Sequence, residues 1–392
     1  PILEYSSNIQ QLKCMILMKD SAYQICDRCV MDTSDPDIAF DEHGNCNHCE
    51  DYNTRISLQT YTPGTSEKQL EFILNNIKEK GKNREYDCIV GISGGVDSCY
   101  TAHLCMEYGL NPLLIHMDNG WNTEISVKNV KIMVEKLGFD YISYVLNWQE
   151  FREIQLAFLK SSIVDLEMPT DIAIPAAIYE TAKKHKIKYI LSGGNYTGEG
   201  ILPLQMGYHV YKDAKLYKHI VKKYSSVPLK TVPTVGLWEE YYYKFIKNIK
   251  TIYPLNYVPF DKDKARAYLI DTYGWENYGG KHHESTITAF WQSYAMPVKY
   301  NMDYRRTTYA SQICCNQISR SEAIEKLKEK PYDEEKTAIN KKYIAKKFGI
   351  SEEEFDGYLN NPPKTYVDFP NNKKLIDFVY RTYNRIFTKK RL

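Results

Sequence analysis

One junction constrains this chain more than any other. Five apolar residues, Cys88-Ile89-Val90-Gly91-Ile92, run straight into Ser93-Gly94-Gly95-Val96-Asp97-Ser98, and helical periodicity follows from about Val96 to Tyr108. A short continuous apolar run bounded by a turn is the pattern of a strand buried on both faces. Glycines let the backbone take positive φ and approach a ligand closely. Successive amide N–H groups at the positive end of a helix then form an anion nest, to which the Ser93 and Ser98 hydroxyls add donors. No Gly-Lys-Ser/Thr follows, so the loop is not of the Walker A kind. A Gly-Gly turn alone is commonplace in α/β chains. The full hexapeptide between strand and helix predicts a phosphate cradle built from Gly91, Ile92, Ser93, Gly94, Gly95, Val96, Asp97 and Ser98.

The alternation continues around this junction. Pro112–Met117, Tyr141–Leu146 and Lys188–Leu191 read as further buried strands, and about 125–137, a stretch from Trp148, and 173–185 read as helices. Strand and helix in turn predict a parallel sheet with helices on both faces. In such sheets ligands sit at the carboxyl ends of the strands. That places His116, Met117 and Asp118, and then Gly193, Gly194 and Asn195, beside the nucleotide, with Glu199 just beyond. Asp118 reads equally well as a ribose or metal contact and as a helix cap. Before the sheet, 67–84 is helical and ends at Gly81, and 54–66 reads as a linker. After about residue 200, the segments 213–224, 236–250 and 262–273 read as helical and 274–315 as irregular. From Ser319 the chain is helical again, with Ser351 and Glu354 in a capping box. The expected divisions are 1–20, a leader or mobile arm; 21–55, a cysteine-rich ribbon; 67–212, the sheet domain; and 213–392, a mostly helical region.

Cys26-x2-Cys29, sixteen residues, then Cys46-x2-Cys49 has the spacing of a structural zinc site. Four thiolates close a tetrahedral shell and leave no position for a reacting water. Iron–sulfur ligation and an unliganded cluster are the alternatives, and His48, inside the second knuckle, is a possible substitute ligand. Net charge is only +2, which does not mark a nucleic-acid or membrane binder. No run of about 18 apolar residues occurs, so no membrane span is expected. Cys14–Met18 is too short for a secretory core, and the chain is expected in the cytoplasm, where ten cysteines do not make a disulfide framework.

The hexapeptide resembles the signature of the PP-loop ATP pyrophosphatases, whose fold is the adenine nucleotide alpha hydrolase-like sheet. The resemblance implies that the loop grips the β- and γ-phosphates of ATP, that Asp97 helps hold Mg²⁺, and that a substrate oxygen attacks the α-phosphorus. Cys26-Asp27-Arg28-Cys29-Val30-Met31-Asp32-Thr33, Asp118-Asn119-Gly120-Trp121-Asn122 and Tyr278-Gly279-Gly280-Lys281-His282-His283-Glu284-Ser285 resemble the N-acetyl sugar amidotransferases of bacterial surface-polysaccharide synthesis, over about residues 25–325. That resemblance implies conversion of an acetamido group on a nucleotide-linked or acidic sugar to an acetamidino group, by way of an adenylated imidate that ammonia attacks. Asn119, Trp121, Asn122, Glu199, His282, His283, Arg305 and Arg306 are the candidate substrate contacts. Lys281 is the candidate for steadying charge on the α-phosphate. The cations of 279–306, which include Lys299, are read as contacts for a sugar carboxylate, a nucleotide diphosphate or the leaving pyrophosphate, with a solvated basic loop as the alternative.

No cysteine lies in Gly-x-Cys-x-Gly and residue 1 is Pro, so neither kind of glutaminase nucleophile is present; His282-x-Glu284 has no cysteine partner. A separate glutaminase supplying ammonia is therefore expected, with a cyclase-like companion as a further partner. One rival is a tRNA thiolase with a zinc ribbon. It would need a sulfur-carrying cysteine near the loop, and Cys88, Cys99 and Cys105 read as core. The other is a ribbon protein whose nucleotide domain is only a scaffold, against which Asp97 and Ser98 stand.

Overall fold

The computed structural model describes residues 23–208, 213–280 and 283–387. In chain order the first half runs α1 (Ser66–Gly81), β1 (Cys88–Gly91), α2 (Val96–Glu107), β2 (Pro112–Asp118), α3 (Glu124–Leu137), β3 (Tyr141–Val145), α4 (Trp148–Ser161), α5 (Met168–Lys184) and β4 (Tyr189–Leu191). The second half runs α6 (Ala214–Tyr224), β5 (Lys250–Ile252), α7 (Lys262–Tyr273), α8 (Arg305–Cys314), α9 (Arg320–Leu327), α10 (Glu334–Phe348), α11 (Glu352–Asn360) and α12 (Lys373–Phe387). Shorter helical turns lie between them.

The five strands form one sheet in the order β3-β2-β1-β4-β5, and every pairing is parallel. Because side chains alternate along a strand, the sheet feeds two cores. Cys88, Val90, Leu114 and Leu191 pack with α1, α2, α3 and α7 on one face. Ile89, Leu113, Ile115 and Ile190 pack with α4, α5 and α6 on the other. Each fully buried Ile, Leu or Phe contributes about 1.5–3 kcal/mol. The ribbon belongs to this second core: Val30, Met31 and Tyr52 pack into the same cluster as Trp291, Ala310 and Phe348 from the C-terminal helices. The parallel doubly covered sheet, preceded by a four-cysteine unit and followed by helices, is the architecture the sequence predicts. Among the described residues no helix is long and apolar enough to cross a membrane.

Three local expectations are corrected. The stretch 236–250 is not one helix: a helical turn at Leu237–Tyr241 and a wide turn at Tyr242–Ile246 lead into β5, so the sheet draws on chain past residue 212. The stretch 274–315 is not irregular throughout, because Thr286–Tyr300 is helical and α8 follows. Helix α5 starts at Met168, where Pro169 sits harmlessly in the first turn, and it tolerates Pro175 inside. The expected arm 1–20 lies outside the described residues.

Candidate active site

β1 delivers the loop to the carboxyl edge of the sheet, and α2 begins at its far end with Gly95 as N-cap. Gly94 takes φ +83°, and a β-carbon there would lie 2.2 Å from the Ser126 carbonyl oxygen. The back of the loop is held by Trp275, whose indole N–H donates to the Gly94 carbonyl at 2.9 Å. The two serines brace the turn. The Ser93 amide donates to Ser98 Oγ at 3.1 Å, the Gly95 amide to Ser93 Oγ at 3.2 Å, and Ser98 Oγ donates to the Gly95 carbonyl at 3.0 Å. Tyr278 closes over the loop against the Val96 amide. Burial, with Glu284 and Asp97 near, raises its phenol well above the ordinary range.

Asp97, in the first turn of α2, is the point of convergence. Asn195 Nδ2 donates to Asp97 Oδ1 at 3.1 Å, and Lys262 Nζ lies 2.7 Å from Oδ2. The approach from β4 is tight: a β-carbon on Gly193 would sit 2.8–2.9 Å from the Asp97 carbonyl and the Ser98 nitrogen, so only glycine fits there. Asp261 caps α7, accepting from the Asp263 and Lys264 amides, and so sets Lys262 in the first helical turn. Burial opposes the charge on Lys262, but Asp97, Glu284 and Glu199 outweigh it and hold the ammonium above its usual pKa. Asp97, Asn195, Glu199 and Lys262 share one small cavity with Thr308 and Gln312 of α8. It has about 20 Å³ of open space, the room of one water or ion.

The other residues singled out from the sequence divide into two groups. His116 braces the strand end: its Nδ1 lies 2.8 Å from the Ile92 carbonyl oxygen and Asn122 Nδ2 lies 3.0 Å from its Nε2. That pattern fits a neutral ring donating from Nδ1, and burial lowers its pKa accordingly. Met117 is partly buried beside it, and Gly194 packs against Tyr253. Asp118 accepts the Gly120 amide at 2.8 Å within the turn, and the helix cap expected of it is Thr123 instead. Asn119 donates to Thr170 at 3.3 Å. His283 accepts the Gly280 amide at 3.1 Å within its own turn.

Trp121, Arg305 and Arg306, expected as substrate contacts, are each engaged by other residues of the chain. Trp121 is wholly buried between Trp148 and Phe348, with its indole N–H bonded to Gln155. Arg305 pairs with Asp303 at 2.7 Å and ties down the end of α9. Arg306 clamps the ribbon through Asp32 at 3.0 Å and the Val30 carbonyl at 2.7 Å. Lys299 likewise bonds Ser162 and the Tyr358 carbonyl. Lys281 and His282 lie outside the described residues.

The four ribbon cysteines are buried, and their sulfurs lie within 4.8 Å of one another. The separations for Cys26–Cys49, Cys29–Cys46 and Cys46–Cys49 are 3.8, 3.7 and 3.7 Å. Four sulfurs about 2.3 Å from one tetrahedral ion stand about 3.8 Å apart, so the set fits a single ion. Among the described residues His48 is not part of this cluster, and its Nε2 bonds Asp35 at 2.6 Å. Lys262 escaped the sequence reading, and Tyr278 entered it only as part of a family motif. The signal for Lys262 was faint: a lysine in a first helical turn, where the dipole disfavours it.

Comparison with known proteins agrees with this geometry. Residues 65–164 match the NAD synthase family and residues 284–385 match the C-terminal domain of WbpG-like LPS biosynthesis proteins. The NH(3)-dependent NAD(+) synthetase of Methanocaldococcus jannaschii is 28% identical over 194 residues, 44% of this chain and 71% of that protein. Among solved structures, the NH3-dependent NAD synthetase from Campylobacter jejuni is 16% identical with a TM-score of 0.28, covering 73% of this chain and 97% of that one. The U34-tRNA thiolase NcsA from Methanococcus maripaludis, solved with its [4Fe-4S] cluster, is 15% identical with a TM-score of 0.36, covering 76% and 88%. The chain is thus an enzyme of the PP-loop, ATP-utilising superfamily. Its C-terminal domain is of the WbpG-like lipopolysaccharide-biosynthesis type, as the sequence resemblance implied.

Proposed function

We propose that the protein is an ATP-dependent amidotransferase that converts an acetamido group of a nucleotide-linked or acidic sugar to an acetamidino group, with ammonia from a separate glutaminase. One observation carries this reading. The loop residue Asp97 and helix α8 of the WbpG-like domain line the same cavity, Asp97 and Lys262 on one side and Thr308 and Gln312 on the other. That shared lining supports a sugar substrate reaching the loop read here as a pyrophosphate cradle.

The chemistry follows from the substrate. An amide oxygen is a poor leaving group. Its attack on the α-phosphorus of ATP expels pyrophosphate and leaves an imidate ester of AMP. Ammonia then adds to the imidate carbon, AMP departs with the oxygen, and one proton is released. Asp97 and Glu199 are the carboxylates suited to hold Mg²⁺, which supplies charge neutralisation for the phosphates. Lys262 stands where a departing pyrophosphate needs a cation, and the braced loop amides complete the cradle. Lys281 keeps its proposed role at the α-phosphate. The closed cysteine set suits structural Zn²⁺ and no step of the reaction.

The test is pyrophosphate release and product mass with ATP, Mg²⁺, ammonium at alkaline pH and a panel of nucleotide-linked diacetamido sugars. One sugar should gain nitrogen in place of oxygen, and Lys262→Ala should lower kcat by about 10²–10³. Glutamine should serve only when a glutaminase is added. No pyrophosphate release with any sugar sinks the adenylation reading, and glutamine hydrolysis by the isolated chain at the rate of product formation sinks the two-protein one.

A further inference from the structure

A second cavity opens on the other side of Glu199. His48, Asp51 and Arg55 of the ribbon face Tyr196, Glu199 and Leu202 of the turn after β4 across it. It has about 220 Å³ of open space, against about 20 Å³ at Asp97, and Glu199 borders both. Hydrogen bonds link residues along both walls. Arg55 holds Asp51 through two N–H donors at 2.8 and 2.5 Å. The Tyr196 amide donates to Asn256 at 2.9 Å and its hydroxyl to Gln59 at 3.1 Å, which pins the ring at both ends.

We propose that this cavity seats the pyranose ring of the acetamido sugar, so that the ribbon supplies half of the sugar site. This rests on the adenylation of a sugar amide set out above and adds where the ring lies. A pyranose presents hydroxyls that both donate and accept, around an apolar C–H face. Asp51 is an acceptor for the hydroxyls, Arg55 is a donor, and Tyr196 offers an aromatic face for the C–H side. Two carboxylates beside one guanidinium that is already paired disfavour a phosphate or nucleotide in the same space. Size agrees, since the volume suits one small ring and not a whole nucleotide sugar. Glu199 on the shared wall brings a ring substituent next to Asp97 and Lys262, where its amide oxygen meets the α-phosphorus.

The experiment uses N-acetylglucosamine at millimolar concentration and saturation-transfer NMR on the metal-loaded chain. Ring protons should receive saturation from wild type and from Asp97→Ala, and at least fivefold less from Tyr196→Ala, from Arg55→Ala and from Leu202→Trp, which fills the exposed rim. Circular dichroism and zinc content identify any variant that fails to fold, and three variants keep one usable. With a nucleotide-linked sugar that supports turnover, Tyr196→Ala and Arg55→Ala should raise its KM at least tenfold and leave the KM for ATP unchanged. Absent transfer in wild type, undiminished transfer in the folded variants, or equal loss in Asp97→Ala overturns the proposal. Transfer through Tyr196 without pyrophosphate release from any sugar defeats the amidotransferase reading alone; turnover with unchanged KM in the variants defeats the cavity assignment alone.

Discussion

Ser126 stands directly behind Gly94, so a methyl group there would meet a carbonyl oxygen at 2.2 Å and a backbone at φ +83°. Gly94→Ala should cost about 1–3 kcal/mol from the left-handed backbone alone and push the loop out of register, abolishing ATP-dependent pyrophosphate release. Urea unfolding and a pyrophosphate assay check both halves; a variant with full turnover would show that the loop does not cradle the phosphates. Gly94 and Asp97 were legible in the sequence because the signal is local: strand, turn and helix lie within a dozen residues. Lys262 was not, because its partner Asp97 lies 165 positions away and nothing near Lys262 announces it. Trp121 misled for the opposite reason. It follows the carboxyl end of β2, where ligand is expected, but Gly120 turns it back beneath Trp148 into the core.

At the scale of elements, the ribbon is a clamped unit. Arg320 donates to the Cys26 carbonyl at 2.9 and 3.0 Å and to the Cys29 carbonyl at 3.0 Å, and Cys314 Sγ of α8 lies 3.9 Å from Cys49 Sγ. Metal and clamp should therefore stabilise each other. Purified protein should hold about one zinc per chain, and chelation should raise amide hydrogen exchange in α8 and α9 as well as in 26–49. Arg320→Ala should destabilise the zinc-loaded protein by about 1–3 kcal/mol through carbonyls left without a donor. Exchange confined to the ribbon after chelation would mean the two are uncoupled. The cysteine spacing made the ribbon legible, and apolar runs gave four strands. β5 was missed because three residues with only one strongly apolar member carry no pattern, and pairing to β4 alone makes them a strand. The helices within 286–314 were hidden by Tyr, Arg and Thr whose burial is decided by distant partners.

Across the whole molecule, three carboxylates meet between α4, α5 and the 286–290 turn. Burial first, and Asp171 second, raise Glu167 to about 8, and the Thr288 hydroxyl donates to it at 2.9 Å. Burial, then Asp171 and Glu167, shifts Asp165 the same way. An acid raised in the fold keeps a proton that the unfolded chain releases near the ordinary value of 4.5. Its contribution is complete below that value and is lost as pH rises through about 8, at about 1.4 kcal/mol per unit. Urea midpoints from pH 5 to 9 should fall across this window, and Glu167→Gln should remove about one proton's worth of slope; an unchanged slope assigns the proton elsewhere. The clamp on the ribbon also sets an order of events during synthesis. Arg320 follows Cys29 by 291 residues, so at the usual 5–20 residues per second the thiols leave the ribosome roughly 15–60 s before the arginine that will cover them. The part made early is thus finished late, and a nascent chain must guard four exposed thiols, by early metal capture or by a chaperone, until its own C-terminal half arrives.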